Sequence, residues 1–125
     1  MIREDYQPIF EKISQLLEEN NLTIVSQHTD ELIAEWQFEN GWILTMECER
    51  YSSDAITLSI MSPKIGPRQG YALWILMRAA SNLNGKNHGK PNIANQIGFL
   101  IDEMDSIFSI DQPYELEYTR LNNAV

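Results

Sequence analysis

The stretch ELIAEWQFENGWILTMECER, residues 31–50, decides the fold of this chain. Large apolar residues alternate with polar ones on both sides of an Asn-Gly pair, which is the pattern of two half-buried strands joined by a tight turn. A two-residue turn would place apolar and acidic side chains together on both faces. A three-residue loop, Glu39–Asn40–Gly41, makes one face wholly apolar and uses Gly41 as the left-handed residue of a type I turn with a bulge. Because burying carboxylates is costly, we predict the three-residue loop.

This loop fixes which residues lie opposite each other in the hairpin. The apolar pairs are Phe38 with Trp42, Trp36 with Leu44, Ala34 with Met46, and Leu32 with Cys48. Phe38 and Trp42 lie near the tip, where partial exposure would make them an interface anchor. The opposite face then carries Glu35, Glu47 and Glu49, while Glu31 lies opposite Glu49 and Glu39 lies in the turn.

The remaining segments complete an α+β pattern. Apolar residues at helical spacing predict an amphipathic helix over residues 5–20, and alternation predicts further strands over 22–26 and 55–61. A nearly all-apolar segment, 71–83, predicts a buried helix, and 93–109 predicts a second amphipathic helix. The tail segment YELEYT could add one short strand. We therefore predict a single α+β domain over residues 1–125, with two layers: an N-terminal helix, a four-stranded antiparallel meander and two C-terminal helices packed on one sheet face.

Charge is sorted along the chain, which has a formal net charge of −9. Residues 1–63 hold twelve acids and three bases, whereas residues 64–90 hold five bases and no acid. The acidic excess opposes nucleic-acid binding, since phosphate neutralisation needs lysines and arginines. It favours association with a basic protein partner.

Several classes of protein are disfavoured by simple counts. The single cysteine, Cys48, excludes an internal disulfide and a cysteine-built zinc site, and its place in an alternating strand predicts a buried, inert thiol. No apolar run reaches membrane-spanning length and the N-terminus lacks a signal-peptide stretch, so we expect a cytoplasmic protein that does not bind membranes. No catalytic or metal-ligand motif is found, so we expect no enzyme activity, no cofactor and no metal.

The acidic sheet face is the first candidate site. Polar faces are common on antiparallel sheets, so an ordinary solvated face is one interpretation. However, glutamates are poor strand formers and like charges across strands are unfavourable, yet no lysine occurs between residues 13 and 49. A binding face for a basic partner explains both features. The candidate residues are Glu31, Glu35, Glu39, Glu47 and Glu49, with the acidic face of the last predicted helix, Asp102, Glu103 and Asp105, as the second choice.

Two further candidate sites are supported by weaker signals. Glu35, Glu47 and Glu49 could hold a metal ion, although no loop spacing supports this. The basic segment, which holds Lys64, Arg68, Arg78, Lys86 and Lys90, is either a pair of solvated loops or an anion patch. In the second case the protein would be an enzyme or a small-ligand binder. We predict that His28 and His88 lie in turns or loops and serve only as polar surface.

Two stretches, GWILTMECERYSSDAITLSI (residues 41–60) and GYALWILMRAA (residues 70–80), resemble bacterial immunity proteins, the small inhibitors that bacteria pair with their own toxins. The resemblance covers about the central half of the chain. It implies a non-catalytic protein that occludes the active site of a cognate toxin, often a basic nuclease, and that is a monomer or weak dimer when free.

An acidic secretion-type chaperone is the alternative. Such proteins are similar in size, acidity and helix–sheet composition, and they act as homodimers. Four strands without an intervening helix depart from their strand order.

Overall fold

The computed structural model describes residues 1–51, 56–62, 70–108 and 113–123. The chain divides into two compact units, residues 1–70 and 71–125. The assignment of residues 1–125 to a single domain stays a prediction.

The first unit holds a helix and an antiparallel sheet, and the second unit is mainly helical. The first contains a 3-10 turn (Glu4–Tyr6), α1 (Gln7–Glu19), β1 (Ile24–Thr29), β2 (Ile33–Phe38), β3 (Ile43–Cys48) and β4 (Ile56–Met61). A short strand, β5 (Gly70–Ala72), begins at the last residue of this unit, and α2 (Leu73–Asn84), α3 (Ile93–Asp102), α4 (Met104–Ile107) and α5 (Glu115–Asn123) follow. Strands β1 to β4 follow the order β1-β2-β3-β4 in an antiparallel sheet, so the α+β class is confirmed, and the short β5 makes five strands where four were predicted.

The β2–β3 hairpin has the predicted register. Trp36 lies opposite Leu44 and Ala34 lies opposite Met46. The Phe38 amide donates to the Trp42 carbonyl at 2.9 Å, which closes the three-residue loop. Gly41 has a φ of 89°, a backbone conformation that glycine adopts without a steric penalty. The cost of burying carboxylates therefore selected the correct loop from the sequence alone.

Helix α1 packs on the apolar face of this sheet. Pro8 lies in its first turn, where the missing amide hydrogen costs nothing. The Phe10 ring stacks on Trp36 with 5.2 Å between ring centroids, and the Trp36 indole Nε1 donates to Ser14 Oγ at 3.0 Å. Phe38 and Trp42 are 1% and 2% exposed, so the idea that they form an exposed anchor was wrong. Their apolar surface is already buried in the core.

Helix α2 forms the centre of the second unit and packs against α3 and α5. It ends at Gly85, whose φ of 71° gives the left-handed cap typical of helix ends. Near its start, the Ala72 amide donates to the Tyr118 hydroxyl at 2.8 Å, which joins α2 to α5. The rings of Tyr71 and Tyr118 meet edge to face at 5.1 Å.

The tail is a helix, so the suggestion of an extra strand over YELEYT was wrong. A strand would place Tyr114, Leu116 and Tyr118 on one face. The structure buries Tyr114 and Tyr118 and leaves Leu116 89% exposed, which matches the four-residue spacing of a helix. Arg120 and Glu117, three residues apart on α5, form a salt bridge of the kind that supports helices.

The predicted helix over 93–109 is also interrupted. It divides at Glu103 into α3 and the short α4. Within α3 and α4, Phe99 and Ile107 are buried, whereas Met104 and Phe108 are only half-buried.

Candidate functional site

The acidic face is the surface of β1–β4 that lies on the other side of the sheet from α1. Cross-strand pairing arranges its residues in three rows. The rows are Ser26–Gln37–Ile43–Met61, His28–Glu35–Thr45–Ser59 and Ile33–Glu47–Thr57. The described strand residues of this face include two carboxylates and no lysine or arginine.

Glu35 and Glu47 lie on neighbouring strands of this face. Glu35 is opposite Thr45 and Glu47 is opposite Thr57, so the two glutamates are diagonal neighbours, roughly 7–8 Å apart by sheet geometry. Glu35 is half-buried, while Glu47 and Glu49 are exposed, and Glu49 lies just beyond the end of β3. None of the three takes part in a salt bridge within the described chain. Their negative charge is therefore not compensated locally by those residues.

Three apolar side chains lie on the same sheet face as these carboxylates. Ile43 and Met61 form a directly opposite pair and are half-buried, and Ile33 is 39% exposed beside Glu47. Most positions of this face are polar, as on a solvated face, so the three apolar residues are the exception. Apolar area combined with one sign of charge is the composition expected of a surface that binds an oppositely charged protein.

Thr45 occupies the middle of the acidic face and was not singled out by the sequence. It is only 7% exposed, and its Oγ1 has no hydrogen-bond partner among the described residues. A shielded hydroxyl without a partner is uncommon in native proteins, since leaving it unpaired costs about 1–3 kcal/mol. This is a second unusual feature at the same place.

Two of the predicted flanking glutamates have different surroundings. Glu31 forms a salt bridge with Arg50 at 3.5 Å, so part of its charge is compensated. Arg3 supports the same corner, since its guanidinium donates to the Arg50 carbonyl at 2.6 Å. Glu39 is exposed in the hairpin turn and lines an open groove of about 310 Å³ that also contacts Leu22 and Asn40.

The second-choice acidic cluster is only partly a common surface. Asp102 and Asp105 are exposed. Glu103 is half-buried at the break between α3 and α4, and its Oε2 accepts a hydrogen bond from the Tyr114 hydroxyl at 3.4 Å. It therefore has a structural contact within the second unit, and these three acids do not form one continuous helix face as predicted.

The basic segment is described in part, because Lys64 and Arg68 lie outside the described residues. Arg78, Lys86 and Lys90 are exposed. Of the two histidines, His88 lies in a loop as expected, but His28 lies in strand β1 directly opposite Glu35, so that prediction was wrong. Strand β1 is longer than predicted and its added residues are polar.

Cys48 is half-buried at the end of β3. Removal from water raises the pKa of its thiol to about 11, although the nearby Arg3 guanidinium acts in the opposite direction. A nucleophilic cysteine needs a lowered pKa. The raised pKa agrees with the predicted inert thiol, whereas Cys48 is half-buried and not fully buried as predicted.

Two other kinds of feature are absent from the described residues. No group of three or more His, Cys, Asp and Glu side chains is arranged to hold a metal ion. Within the same residues, no helix has the length and apolar character needed to cross a membrane. Comparisons with protein-family models, curated proteins and solved structures found no match to this chain.

Proposed function

We propose that this protein is a non-catalytic binding module that uses its acidic face to bind and neutralise a basic protein partner. The observation that supports this most directly is the composition of that face. Glu35 and Glu47 lie on adjacent strands beside Ile33 and Ile43, with no lysine or arginine at the described strand positions. Such uncompensated charge favours solubility but does not stabilise the fold, whereas a basic partner would be attracted by it.

The partner class that fits best is a bacterial toxin domain with a basic, nucleic-acid-binding active site. Carboxylates projecting from a sheet can occupy a cleft that is built for phosphates, and contacts of the neighbouring apolar side chains add affinity that salt does not screen. Complementary charge also accelerates capture, with association rates that can reach about 10⁸ M⁻¹s⁻¹ at low salt. Rapid capture suits an immunity protein, which has to reach the toxin before the toxin reaches its substrate.

A secretion-type chaperone remains the alternative, and quaternary structure distinguishes the two. Strands β1 to β4 follow one another without an intervening helix, which is unlike the strand order of those chaperones. We expect the free protein to sediment as a monomer or a weak dimer. A tight dimer at micromolar concentration would favour the chaperone.

The experiment that tests the proposal is affinity capture from the native cell at two salt concentrations, followed by purification of the captured protein. We expect to capture a basic protein that is retained at about 50 mM salt and partly released at about 500 mM. The release is expected because salt screens the attraction between exposed charges. The purified partner should lose its activity when mixed with this protein at an equimolar ratio. Retention of full activity by the saturated partner would refute neutralisation.

A further inference from the structure

The second unit contains a cavity of about 240 Å³ that the acidic face does not involve. One wall is a stripe of α2 with helical spacing, and the other wall is the loop between α2 and α3. The lining residues are Trp74, Met77, Arg78, Ser81, His88, Gly89 and Pro91.

The loop wall of this cavity is held by a network of hydrogen bonds. Ser81 Oγ donates to the Lys86 carbonyl at 2.8 Å, and Asn95 Nδ2 donates to the Lys90 carbonyl at 2.8 Å. Gln96 Nε2 donates to the Pro91 carbonyl at 2.9 Å. These contacts pin the loop at both ends, so the cavity is formed before any ligand binds. Preformed pockets bind ligands at a lower entropic cost than pockets that must first be ordered.

The lining combines an apolar floor with the cationic side chain of Arg78. Trp74 and Met77 provide aromatic and apolar surface, while Arg78 is exposed and takes part in none of the salt bridges formed by the described residues. The His88 ring packs edge to face on Phe99 at 4.9 Å. Its Nε2 is shielded from water and has no hydrogen-bond partner among the described residues. Because this nitrogen is inaccessible to water, the cationic group that a ligand can reach is the exposed Arg78 guanidinium.

The charged residues around the cavity favour a ligand of negative charge. Residues 70–101 contain Arg78, Lys86 and Lys90 and no aspartate or glutamate. An anion is therefore favoured, although the chain as a whole is acidic. An arginine can hold a carboxylate through two parallel hydrogen bonds, which is stronger than a single neutral hydrogen bond.

We propose that this cavity binds a small aromatic carboxylate. The ring lies on Trp74 and Met77, and the carboxylate pairs with the Arg78 guanidinium. The volume agrees with one ring plus a carboxylate, because an apolar cavity of about 150 Å³ already accommodates benzene. The proposal stands apart from the proposed function, since it uses no residue of the acidic face.

The test is a titration followed by amide and indole NMR shifts, with three probes: benzoate, benzamide and acetate. We expect benzoate to give saturable shifts at the Trp74 indole, Arg78 and His88, with a Kd on the order of 1 mM for so small a ligand. Benzamide lacks the charge and acetate lacks the ring, so each should bind about tenfold more weakly or not at all. If benzamide bound as tightly as benzoate, the proposed preference for an anion would be wrong. If benzoate gave no saturable shift, the proposed site would be wrong.

Two matched variants locate the effect. Arg78→Gln removes the exposed guanidinium and keeps a good helix former, so we expect the melting temperature to change little and benzoate affinity to fall about tenfold. Lys90→Gln removes one positive charge from the same segment at a residue that does not line the cavity, and should change the Kd less than twofold. A similar loss in both variants would show general charge attraction and overturn the pocket, as would an unchanged Kd in Arg78→Gln.

Discussion

Glu35 on β2 lies directly opposite Thr45 on β3, so a half-buried carboxylate and a shielded hydroxyl occupy the centre of the acidic face together. Neither side chain forms a hydrogen bond or salt bridge with another described residue. Local stability does not explain this pairing, because both groups lose hydration without gaining a partner. The proposed binding to a basic partner would give the Glu35 carboxylate a compensating charge.

Thr45→Val should stabilise the free protein or leave its stability unchanged. Valine has nearly the same shape as threonine, suits a strand, and removes a hydroxyl that is unpaired within the described residues, so we expect a gain of 0 to about 1 kcal/mol. Urea unfolding monitored by circular dichroism measures this. Thr57→Val, at an exposed position on the same face, is the control and should change stability by less than about 0.5 kcal/mol. A loss above about 1 kcal/mol in Thr45→Val would show that the hydroxyl has a partner.

Gly41→Ala should destabilise the protein by about 1–2 kcal/mol, because the hairpin loop requires a positive φ of 89° at this position. Gly98→Ala is the matched control. Gly98 lies within helix α3, and a Cβ built there meets no atom within 4 Å, so alanine should stabilise by about 0.5–1 kcal/mol. Thermal and urea unfolding compare the two variants. Equal stability of Gly41→Ala and the native protein would contradict the three-residue loop.

Ser14→Ala should destabilise the protein by about 1–3 kcal/mol, since it leaves the indole N–H of the fully buried Trp36 without its acceptor. A double-mutant cycle with Trp36→Phe isolates this hydrogen bond from the packing of the ring. In the Trp36→Phe background, the loss of Ser14 should cost less than about 0.5 kcal/mol, because no indole donor remains. Equal costs in both backgrounds would show that α1 does not depend on this hydrogen bond.

The raised pKa of Cys48 predicts slow alkylation and a defined pH dependence of stability. With a pKa of about 11 against an ordinary 9.0, the thiolate population at pH 8 should be roughly 100-fold below that of an unperturbed thiol. The folded state favours the neutral thiol, so this contribution to stability is complete below pH 9 and is lost as the pH rises from 9 to 11. Iodoacetamide labelling against pH measures the first effect. In the Cys48→Ser variant, the free energy of unfolding should fall less between about pH 9 and pH 11 than in the native protein. The same pH dependence in both proteins would contradict a raised thiol pKa.

The hairpin and the acidic face could be predicted from the sequence because their signal is strong. Only one register keeps Glu35 and Glu47 out of the core, and burying a carboxylate costs far more than any difference between turn types. The amphipathic α1 was predictable for the same reason. Its apolar residues recur at a spacing that matches a single buried face.

Other features left weaker signals. The added residues of β1 are polar and mostly exposed, so no alternation marks them as a strand. The tail was ambiguous because Tyr114, Leu116 and Tyr118 fit a strand period, while Tyr114 and Tyr118 alone fit a helix. One wall of the cavity could be found from the helical spacing of Trp74, Met77, Arg78 and Ser81 on α2. The other wall depends on loop contacts between residues 81 and 96, which leave no periodic pattern in the sequence.

The most direct test of the account is the affinity of the purified partner for a charge-reversed acidic face. Glu35→Lys, Glu47→Lys and Glu49→Lys, combined in one variant, should keep the fold and weaken binding by well over tenfold at low salt, mainly through slower association. The matched control reverses three exposed glutamates of α1, Glu11, Glu18 and Glu19, and makes the same change in net charge. Calorimetry and stopped-flow kinetics measure both. Loss of affinity in the face variant alone is the predicted result, and equal affinity of the face variant and the native protein would contradict the acidic face as the binding surface.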